Sequence, residues 1–251
     1  FTNWFSELTL HDKDSVHHYI DSLRAKQLVY DLDNAVWCKT THFNDDKDRV
    51  LIKADGSFTY FAVDIAYHYD KIKRKYDQLI NIWGADHHGY VQRMRAAVAT
   101  LINDSSQVDT VFHVLIGQLV TLYRNGEPVR MSKRTGEMIT LEEVIHEIGV
   151  DATRYFLVQK SADTHLDFDM DLALSQSSEN PVYYIQYAYA RICSILKKTD
   201  SDISTVEFSD TLQLDPKERD LIVKVLRLPD LIQESAILLA PHKLASFSWE
   251  L

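Results

Sequence analysis

The chain has 251 residues, of which 45% are hydrophobic and 25% are charged, values that are ordinary for a globular protein of one large or two modest domains. A formal net charge of −10 argues against indiscriminate nucleic-acid binding, which usually requires a basic surface. No apolar run reaches the roughly 20 residues that span a bilayer, and no signal-peptide pattern opens the sequence. The two distant cysteines, Cys38 and Cys193, lack metal-ligand spacing, so we expect reduced thiols in a cytoplasmic protein without membrane contact.

Helix and strand patterns alternate in the first half of the chain. Apolar residues at helical spacing after Ser15 predict a first helix, and RVLIKADGSFTY predicts a strand, an Asp-Gly turn and then a strand or the entry to a helix. From Thr59 the pattern is helical, and Tyr60, Asp64 and His68 share one face because they recur every four residues. QLINIW, a glycine-containing turn and YVQRMRAAVATLI predict a βα unit of a parallel sheet, and TVFHVLIG predicts the next buried strand.

Helical patterns dominate the second half. QLVTLYRNGEPVRMS predicts a hairpin that turns at Asn125-Gly126, before a helix whose capping-box pattern pairs Thr140 with Glu143. Asn180 followed by Pro181 predicts the start of a long helix. Strand patterns disappear beyond DFDMDLALSQSSEN, so we place the boundary between an α/β part and an all-helical part near residue 170.

The helix that starts at Pro181 has an apolar stripe at spacings of three and four, which predicts packing against other helices. The stripe consists of Val182, Ile185, Tyr189, Ile192 and Leu196. The same helix holds four tyrosines that could pack in the core, which is the simpler expectation, or stack on nucleic-acid bases. They are Tyr183, Tyr184, Tyr187 and Tyr189.

The loop WGADHHGY is a candidate ligand site because it leaves a strand at its carboxyl end, where open parallel sheets bind nucleotides. Gly84 would let the backbone approach a ligand, and Asp86 could accept hydrogen bonds from ribose hydroxyls. His87 and His88 could contact phosphate or a metal. The alternative is a helix-capping aspartate followed by two histidines that face solvent, and no further metal ligand occurs at a convincing spacing.

The loop PVRMSKRTGEM is the second candidate site. It carries Arg130, Lys133 and Arg134 between Gly126 and Gly136. Positive charge on a mobile loop suits a polyphosphate whose negative charge grows during transfer. On charge alone, a solvated basic hairpin tip is the better interpretation.

Several blocks, in the right order, resemble one enzyme family. VRMSKRTGE resembles the KMSKS signature of class I aminoacyl-tRNA synthetases, with Arg130 in place of the first lysine and Arg134 in place of the last serine. WGADHHGY resembles the sheet-end G-x-D element of this class. The blocks DGSFTYFAVDIAYH, IGVDATRYFLVQKSADTHLDFDMDLA and NPVYYIQYAYARICSI resemble arginyl-tRNA synthetase of bacterial type. The resemblance implies an α/β fold, the second half of a Rossmann-like, parallel-sheet nucleotide-binding domain, followed by an all-α bundle.

This resemblance implies ATP-dependent activation of arginine to arginyl-adenylate and its transfer to tRNA(Arg), with Mg²⁺ on the ATP phosphates and no protein-bound metal site. Lys133 matches the catalytic lysine that stabilises the transition state as pyrophosphate leaves. The implied ATP-binding residues are Gly84, Asp86, His88, Met131, Ser132, Lys133 and Arg134.

Tyr60 and Asp64 match the Tyr-x-x-x-Asp pattern that binds the arginine guanidinium in this family. They stand one helical turn apart, and a carboxylate can bind a guanidinium through both oxygens. Without the resemblance, an amphipathic helix with one exposed acid would explain the pair. Many relatives carry glutamine where Asp86 falls, and Asp86 is assigned to both the ATP and the arginine sets.

The resemblance also divides the chain. Residues 1–170 would be the C-terminal part of the catalytic domain, with the KMSKS-like loop and a stem-contact region, and residues 171–251 a truncated anticodon-binding bundle. Class I enzymes need a HIGH motif, and no H-x-G-H occurs in this sequence. We therefore expect an internal fragment, inactive alone, of a monomeric enzyme whose partners are tRNA(Arg), arginine and ATP.

Two other functions remain open at this point. A metal-dependent phosphoesterase would use Asp86, His87 and His88, but it needs further acidic ligands on other strand ends. A non-catalytic tRNA-binding or regulatory module would consist of the helical part and half of a nucleotide-binding fold.

Overall fold

A computed structural model of the protein describes residues 2–12, 15–102, 104–129, 139–199 and 213–251. The chain divides into two compact units, Phe1–Gly117 and Gln118–Leu251. The first unit contains α1 (Leu8–Asp12), α2 (Ser15–Ala25), β1 (Val29–Leu32), β2 (Ala35–Cys38), β3 (Arg49–Ile52), α3 (Tyr60–Lys73), β4 (Leu79–Gly84), α4 (Val91–Leu101), α5 (Val108–Val111) and β5 (Phe112–Gly117). Three 3-10 helices, at Thr40–Phe43, Ala85–Tyr90 and Ser105–Gln107, connect some of these elements.

The second unit contains two kinds of structure, a small sheet and a series of helices. Its elements are β6 (Val120–Arg124), β7 (Glu127–Pro128), α6 (Leu141–Ile148), α7 (Val150–Val158), β8 (Leu166–Asp169), α8 (Met170–Leu174), α9 (Pro181–Lys198), α10 (Pro216–Leu226), α11 (Leu228–Ile237) and α12 (His242–Glu250). From α9 onward every described element is a helix, as the loss of strand patterns predicted.

The first unit combines an antiparallel meander with a parallel pair of strands. Strands β1, β2 and β3 pair antiparallel in that order, and the sequence patterns did not predict β1 or β2. Strands β4 and β5 are parallel, in register from Leu79 opposite Phe112 to Gly84 opposite Gly117. The predicted βα unit is therefore confirmed, and both strands present their carboxyl ends at the same edge.

Helix α3 is the central helix of this unit. Thr59 is its N-cap, and the Thr59 hydroxyl accepts a hydrogen bond from the Ala62 amide. The buried face of α3 packs into a core with α2, α4 and the parallel strands. That core includes Tyr19, Leu23, Leu51, Phe61, Ile65, Leu79, Met94 and Phe112. The opposite face of α3 is left to carry polar and exposed groups, because an amphipathic helix buries only one stripe.

The second unit begins with the predicted hairpin of β6 and β7. Asn125 and Gly126 have φ angles of 54° and 73°, the left-handed conformations that a two-residue hairpin turn of the primed type requires. Strand β8 pairs parallel with β6, an association that the sequence did not predict. The rings of Phe168 on β8 and Phe156 on α7 stack with centroids 5.4 Å apart, inside the core of the unit.

The predicted helix starts are confirmed at Thr140 and Asn180. Thr140 and Glu143 form a reciprocal capping box at the start of α6. Asn180 caps α9, with Pro181 as the first helical residue. Within the described ranges, no helix is both long enough and apolar enough to cross a membrane.

The predicted packing of the apolar stripe on α9 is wrong for most of its length. Of the stripe residues only Val182 is buried, whereas Tyr189 is 69% and Ile192 is 55% exposed. Core packing also fails for the four tyrosines, since even the least exposed of them, Tyr183, is 36% exposed. The spacing of three and four identifies the apolar face of α9 correctly. Beyond Val182, however, most of that face is not covered by any described element.

Replacing Asn180 tests how α9 is fixed to the rest of its unit. The buried side chain donates hydrogen bonds of 3.0 Å to the Ala173 carbonyl and 2.8 Å to the Ser175 carbonyl, and it accepts one of 3.0 Å from the Val182 amide. Asn180→Ala should lower the free energy of unfolding by about 2–3 kcal/mol, since it removes a cap and leaves buried carbonyls unpaired. Urea denaturation measures this.

Thr140→Ala is the matched control, because Thr140 is an exposed N-cap whose side chain, among the described residues, bonds only to Glu143 of its own helix. It should cost only about 1 kcal/mol. Equal losses in the two variants would show that Asn180 acts as a local cap alone.

Candidate functional site

A series of hydrogen bonds joins α3 to β4. Lys71 Nζ donates to Asn81 Oδ1 over 2.9 Å, and Asn81 Nδ2 lies 2.9 Å from His68 Nε2. The other ring nitrogen of His68, Nδ1, lies 2.7 Å from the main-chain carbonyl oxygen of Asp64. Because a carbonyl can only accept, Nδ1 carries the proton, and Nε2 accepts from the Asn81 amide.

Burial makes the two basic side chains in this hydrogen-bonded series, His68 and Lys71, harder to protonate. It lowers the pKa of His68 to about 4, with the nearby Lys71 charge as a second cause. It also lowers the pKa of Lys71 to about 8, with Arg74 as a further contributor. At neutral pH His68 is therefore an uncharged structural link and not a proton donor for catalysis.

The Asp64 carboxylate lies on the partly exposed side of α3, one turn before His68. Its Oδ2 accepts a 2.8 Å hydrogen bond from the hydroxyl of Tyr90, at the end of the 3-10 helix that follows β4. Burial raises the pKa of the Asp64 carboxyl above its ordinary value, and the bond from Tyr90 opposes this rise. The result is a half-buried carboxylate that a cationic ligand would stabilise in its charged form.

Tyr60 provides an exposed aromatic surface beside this carboxylate. Tyr60 is 65% exposed, and its ring centroid lies 6.4 Å from that of Tyr90. The charge of Asp64 raises the pKa of the Tyr60 phenol, so the two predicted residues share one environment. A flat, planar cation can bind at such a place, with its charge on the carboxylate and its plane against a ring.

The loop after β4 brings the remaining described candidates to the same strand end. Asp86, His87 and His88 are exposed on the 3-10 helix Ala85–Tyr90. Among the described residues, no atom lies within 4 Å of a Cβ added at Gly84, and the φ of Gly84, −71°, suits any residue. The fold therefore does not require a glycine at position 84. A ligand that approaches the backbone closely there would require one, because any side chain would occupy that space.

The structure gives no support to the phosphoesterase alternative. Among the residues that it describes, no group of three or more histidine, cysteine, aspartate and glutamate side chains could hold a metal ion.

The predicted phosphate-loop residues cannot be placed relative to Asp64 and Asp86. Arg130, Met131, Ser132, Lys133 and Arg134 lie outside the described residues.

Comparison with known families gives this geometry a context. Residues 8–182 match the family model described as tRNA synthetases class I (R), catalytic domain, which covers more than half of the chain. The chain belongs to the class I (R) tRNA synthetase family. Residues 185–251 of this synthetase chain match the DALR anticodon binding domain.

Relatives of the synthetase chain include named enzymes. It is 49% identical to the arginine–tRNA ligase of Anoxybacillus flavithermus and 48% identical to arginine–tRNA ligase 1 of Halalkalibacterium halodurans. Each match covers 100% of this chain but 45% of the relative, so the chain spans less than half of their length.

Solved structures show the same fold. A Campylobacter jejuni protein assigned as an arginyl-tRNA synthetase superposes with a TM-score of 0.85 at 36% identity, over 98% of this chain and 53% of that one. The arginyl-tRNA synthetase of Thermus thermophilus superposes with a TM-score of 0.75 at 21% identity, over 95% of this chain and 48% of that one. The second likeness concerns the fold alone.

The synthetase chain also places residues at the site that sequence patterns did not single out. Tyr90, Asn81 and Lys71 were not predicted, and His68 was recognised only as sharing a face with Asp64. One signal was present in the sequence. Asn81 is a polar residue in the middle of the apolar run LINIW, and a buried polar residue in a strand needs a partner.

Lowering the pH should destabilise the synthetase chain through His68. Burial lowers the pKa of its imidazole from 6.5 to about 4 in the folded protein. Between those values the unfolded chain binds a proton that the folded chain does not, so the free energy of unfolding falls as pH falls through this window. The full effect is on the order of 3 kcal/mol and is measured by urea denaturation at several pH values.

His68→Gln is the control because its side chain does not titrate. The slope of stability against pH between 6.5 and about 4 should be shallower in this variant. Identical slopes would mean that His68 takes up a proton in the folded protein as easily as in the unfolded one.

Proposed function

We propose that this chain is part of an arginine–tRNA ligase that activates arginine with MgATP to arginyl-adenylate and transfers the arginyl group to tRNA(Arg). Its membership of the class I (R) family and the names of its relatives support this proposal. The observation that carries it is the Asp64 carboxylate, half-buried at the carboxyl end of β4, beside the exposed ring of Tyr60.

The guanidinium of arginine would bind at Asp64. A guanidinium is always charged, is more weakly hydrated than an ammonium, and presents paired N–H donors that match the two oxygens of a carboxylate. Burial of Asp64 strengthens the attraction, since the surrounding dielectric is lower than that of water. Tyr60 would cover one face of the guanidinium plane.

ATP would bind at the loop after β4 and at the KMSKS-like loop. We assign Gly84, Asp86 and His88 to the nucleotide, with Asp86 shared with arginine. In the second loop we assign Met131, Ser132, Lys133 and Arg134. Mg²⁺ would arrive with the ATP phosphates as part of the substrate.

In the activation step, a carboxylate oxygen of arginine would attack the α-phosphorus of ATP. The bond from that phosphorus to the bridging oxygen breaks, and pyrophosphate leaves with the negative charge. Lys133 would stabilise this charge as it develops, which lowers the barrier more than it tightens ATP binding. A ribose hydroxyl of the tRNA would then displace AMP from the arginyl-adenylate.

The helical part would bind the anticodon of the tRNA. The match of residues 185–251 to an anticodon-binding domain supports this, and the exposed tyrosines of α9 are suited to stack on bases. We retain residue 170 as the proposed boundary between the catalytic part and the bundle. We also propose that the complete enzyme works as a monomer in the cytoplasm.

Arginine affinity tests the assignment of Asp64. Asp64→Asn keeps the size of the side chain but removes the charge that faces the guanidinium. Breaking a buried charge pair on one side costs roughly 3–5 kcal/mol, so arginine should bind at least about a hundredfold more weakly. Isothermal titration calorimetry of the chain with arginine measures this.

Citrulline is the matched ligand control because it replaces the guanidinium with a neutral urea group. It should bind the unchanged protein weakly, and Asp64→Asn should alter its affinity little. If the unchanged protein binds arginine and Asp64→Asn binds it as tightly, Asp64 is not part of the site. The non-catalytic alternative predicts tRNA binding without any arginine binding.

Gly84 offers a separate test on the nucleotide side. Gly84→Ala should leave the melting temperature almost unchanged, because the added Cβ meets no atom within 4 Å in the part of the chain that the structure describes. It should raise the KM for ATP, since the methyl group would occupy space that the nucleotide needs. The chain can replace the matching segment of the Anoxybacillus flavithermus ligase, and pyrophosphate exchange by this chimera gives the KM. An unchanged KM for ATP would remove Gly84 from the nucleotide site.

A further inference from the structure

Tyr90 lies at the candidate arginine site, and the proposed function gives it no role. Its hydroxyl donates a 2.8 Å hydrogen bond to Oδ2 of Asp64, which lies 26 positions earlier in the chain. The bond connects the loop at the end of β4 to the polar side of α3. The Tyr90 side chain thus joins α3, which carries Asp64, to the loop Ala85–Tyr90, which carries Asp86.

The ring of Tyr90 is held on several sides. It meets the ring of Phe61 edge-on with centroids 6.2 Å apart, and it lies 5.8 Å from the ring of Trp83. The guanidinium carbon of Arg93 lies 5.1 Å from the Tyr90 centroid. A ring fixed by these contacts presents its hydroxyl in a single direction, so the donor is already in place before any ligand binds.

The proton of the Tyr90 hydroxyl also stays in place. Burial raises the pKa of the phenol, and the negative charge of Asp64 raises it further. Tyr90 therefore remains a donor across the physiological range and does not compete with Asp64 for a cation. Its hydrogen bond in turn favours the ionised form of Asp64.

We propose that Tyr90 is a positioning residue of the arginine site, which fixes the Asp64 carboxylate in the plane that a guanidinium needs. This inference rests on the proposed function. A guanidinium binds a carboxylate well only when the two planes are aligned, whereas a freely rotating carboxylate loses this alignment. Tyr90 would act through Asp64 and would not itself contact the guanidinium.

Tyr90→Phe tests the inference because it keeps the ring and removes only the hydroxyl. Arginine should bind about tenfold more weakly, the scale of one lost hydrogen bond to a charged group. In the double variant Asp64→Asn with Tyr90→Phe, the second change should add no further loss, since its effect passes through the carboxylate. Calorimetry on the whole chain measures both.

The pH profile of arginine binding separates positioning from general damage. Loss of the donor should raise the pKa of Asp64, so the fall in affinity at acid pH should begin at a higher pH in Tyr90→Phe. The other groups that influence Asp64 are unchanged in the variant. They are Glu7, Lys71 and His87.

Tyr69→Phe is the matched control, since Tyr69 is half-buried like Tyr90 but lies on α3 and packs against Tyr19, with ring centroids 5.7 Å apart. It should leave arginine affinity and the pH profile unchanged. If the unchanged protein binds arginine and Tyr90→Phe has the same affinity and profile, the inference fails while the proposed function stands. If arginine is bound neither by the unchanged chain nor by its chimera with the Anoxybacillus flavithermus ligase, both fail. Losses in Tyr90→Phe and Asp64→Asn that simply add would show that Tyr90 acts independently of Asp64.

Discussion

A buried hydrogen bond between Asn81 and His68 sets the position of helix α3 against strand β4. Both side chains are almost inaccessible to water, and an unpaired amide or imidazole there would be costly, so the helix cannot slide along the strand without losing the bond. The main-chain carbonyl of Asp64 accepts from the same imidazole. The carboxylate of Asp64 thus takes its place at the strand end as a consequence of core packing.

Much of the fold follows from local sequence signals. Strand β4, helix α4, the hairpin at Asn125-Gly126 and the start of α9 at Asn180-Pro181 each carry a pattern or a turn residue of their own. Strands β1, β2 and β8 have only four residues each, and their pairing depends on partners elsewhere in the chain. A short segment of that kind becomes a strand because a neighbour supplies the hydrogen bonds, and no local pattern shows the neighbour.

The candidate site was predictable to a similar extent. Tyr60 and Asp64 are neighbours on any helix because they are four residues apart, so their association needed no knowledge of the fold. Tyr90 reaches Asp64 only because a 3-10 helix, Ala85–Tyr90, turns its side chain back toward α3. The apolar face of α9 was only partly predictable from the sequence. Periodicity revealed its apolar residues but could not show whether anything covers them.

All described side chains of the candidate arginine pocket come from one continuous stretch, Tyr60–Tyr90, within one compact unit. The core around Phe156 and Phe168 belongs to the other unit. Changes in that stretch can therefore alter ligand choice while the hydrophobic core of the second unit remains intact. Residues 60–90 are thus a compact target for laboratory evolution toward guanidinium analogues, with the buried face of α3 kept unchanged.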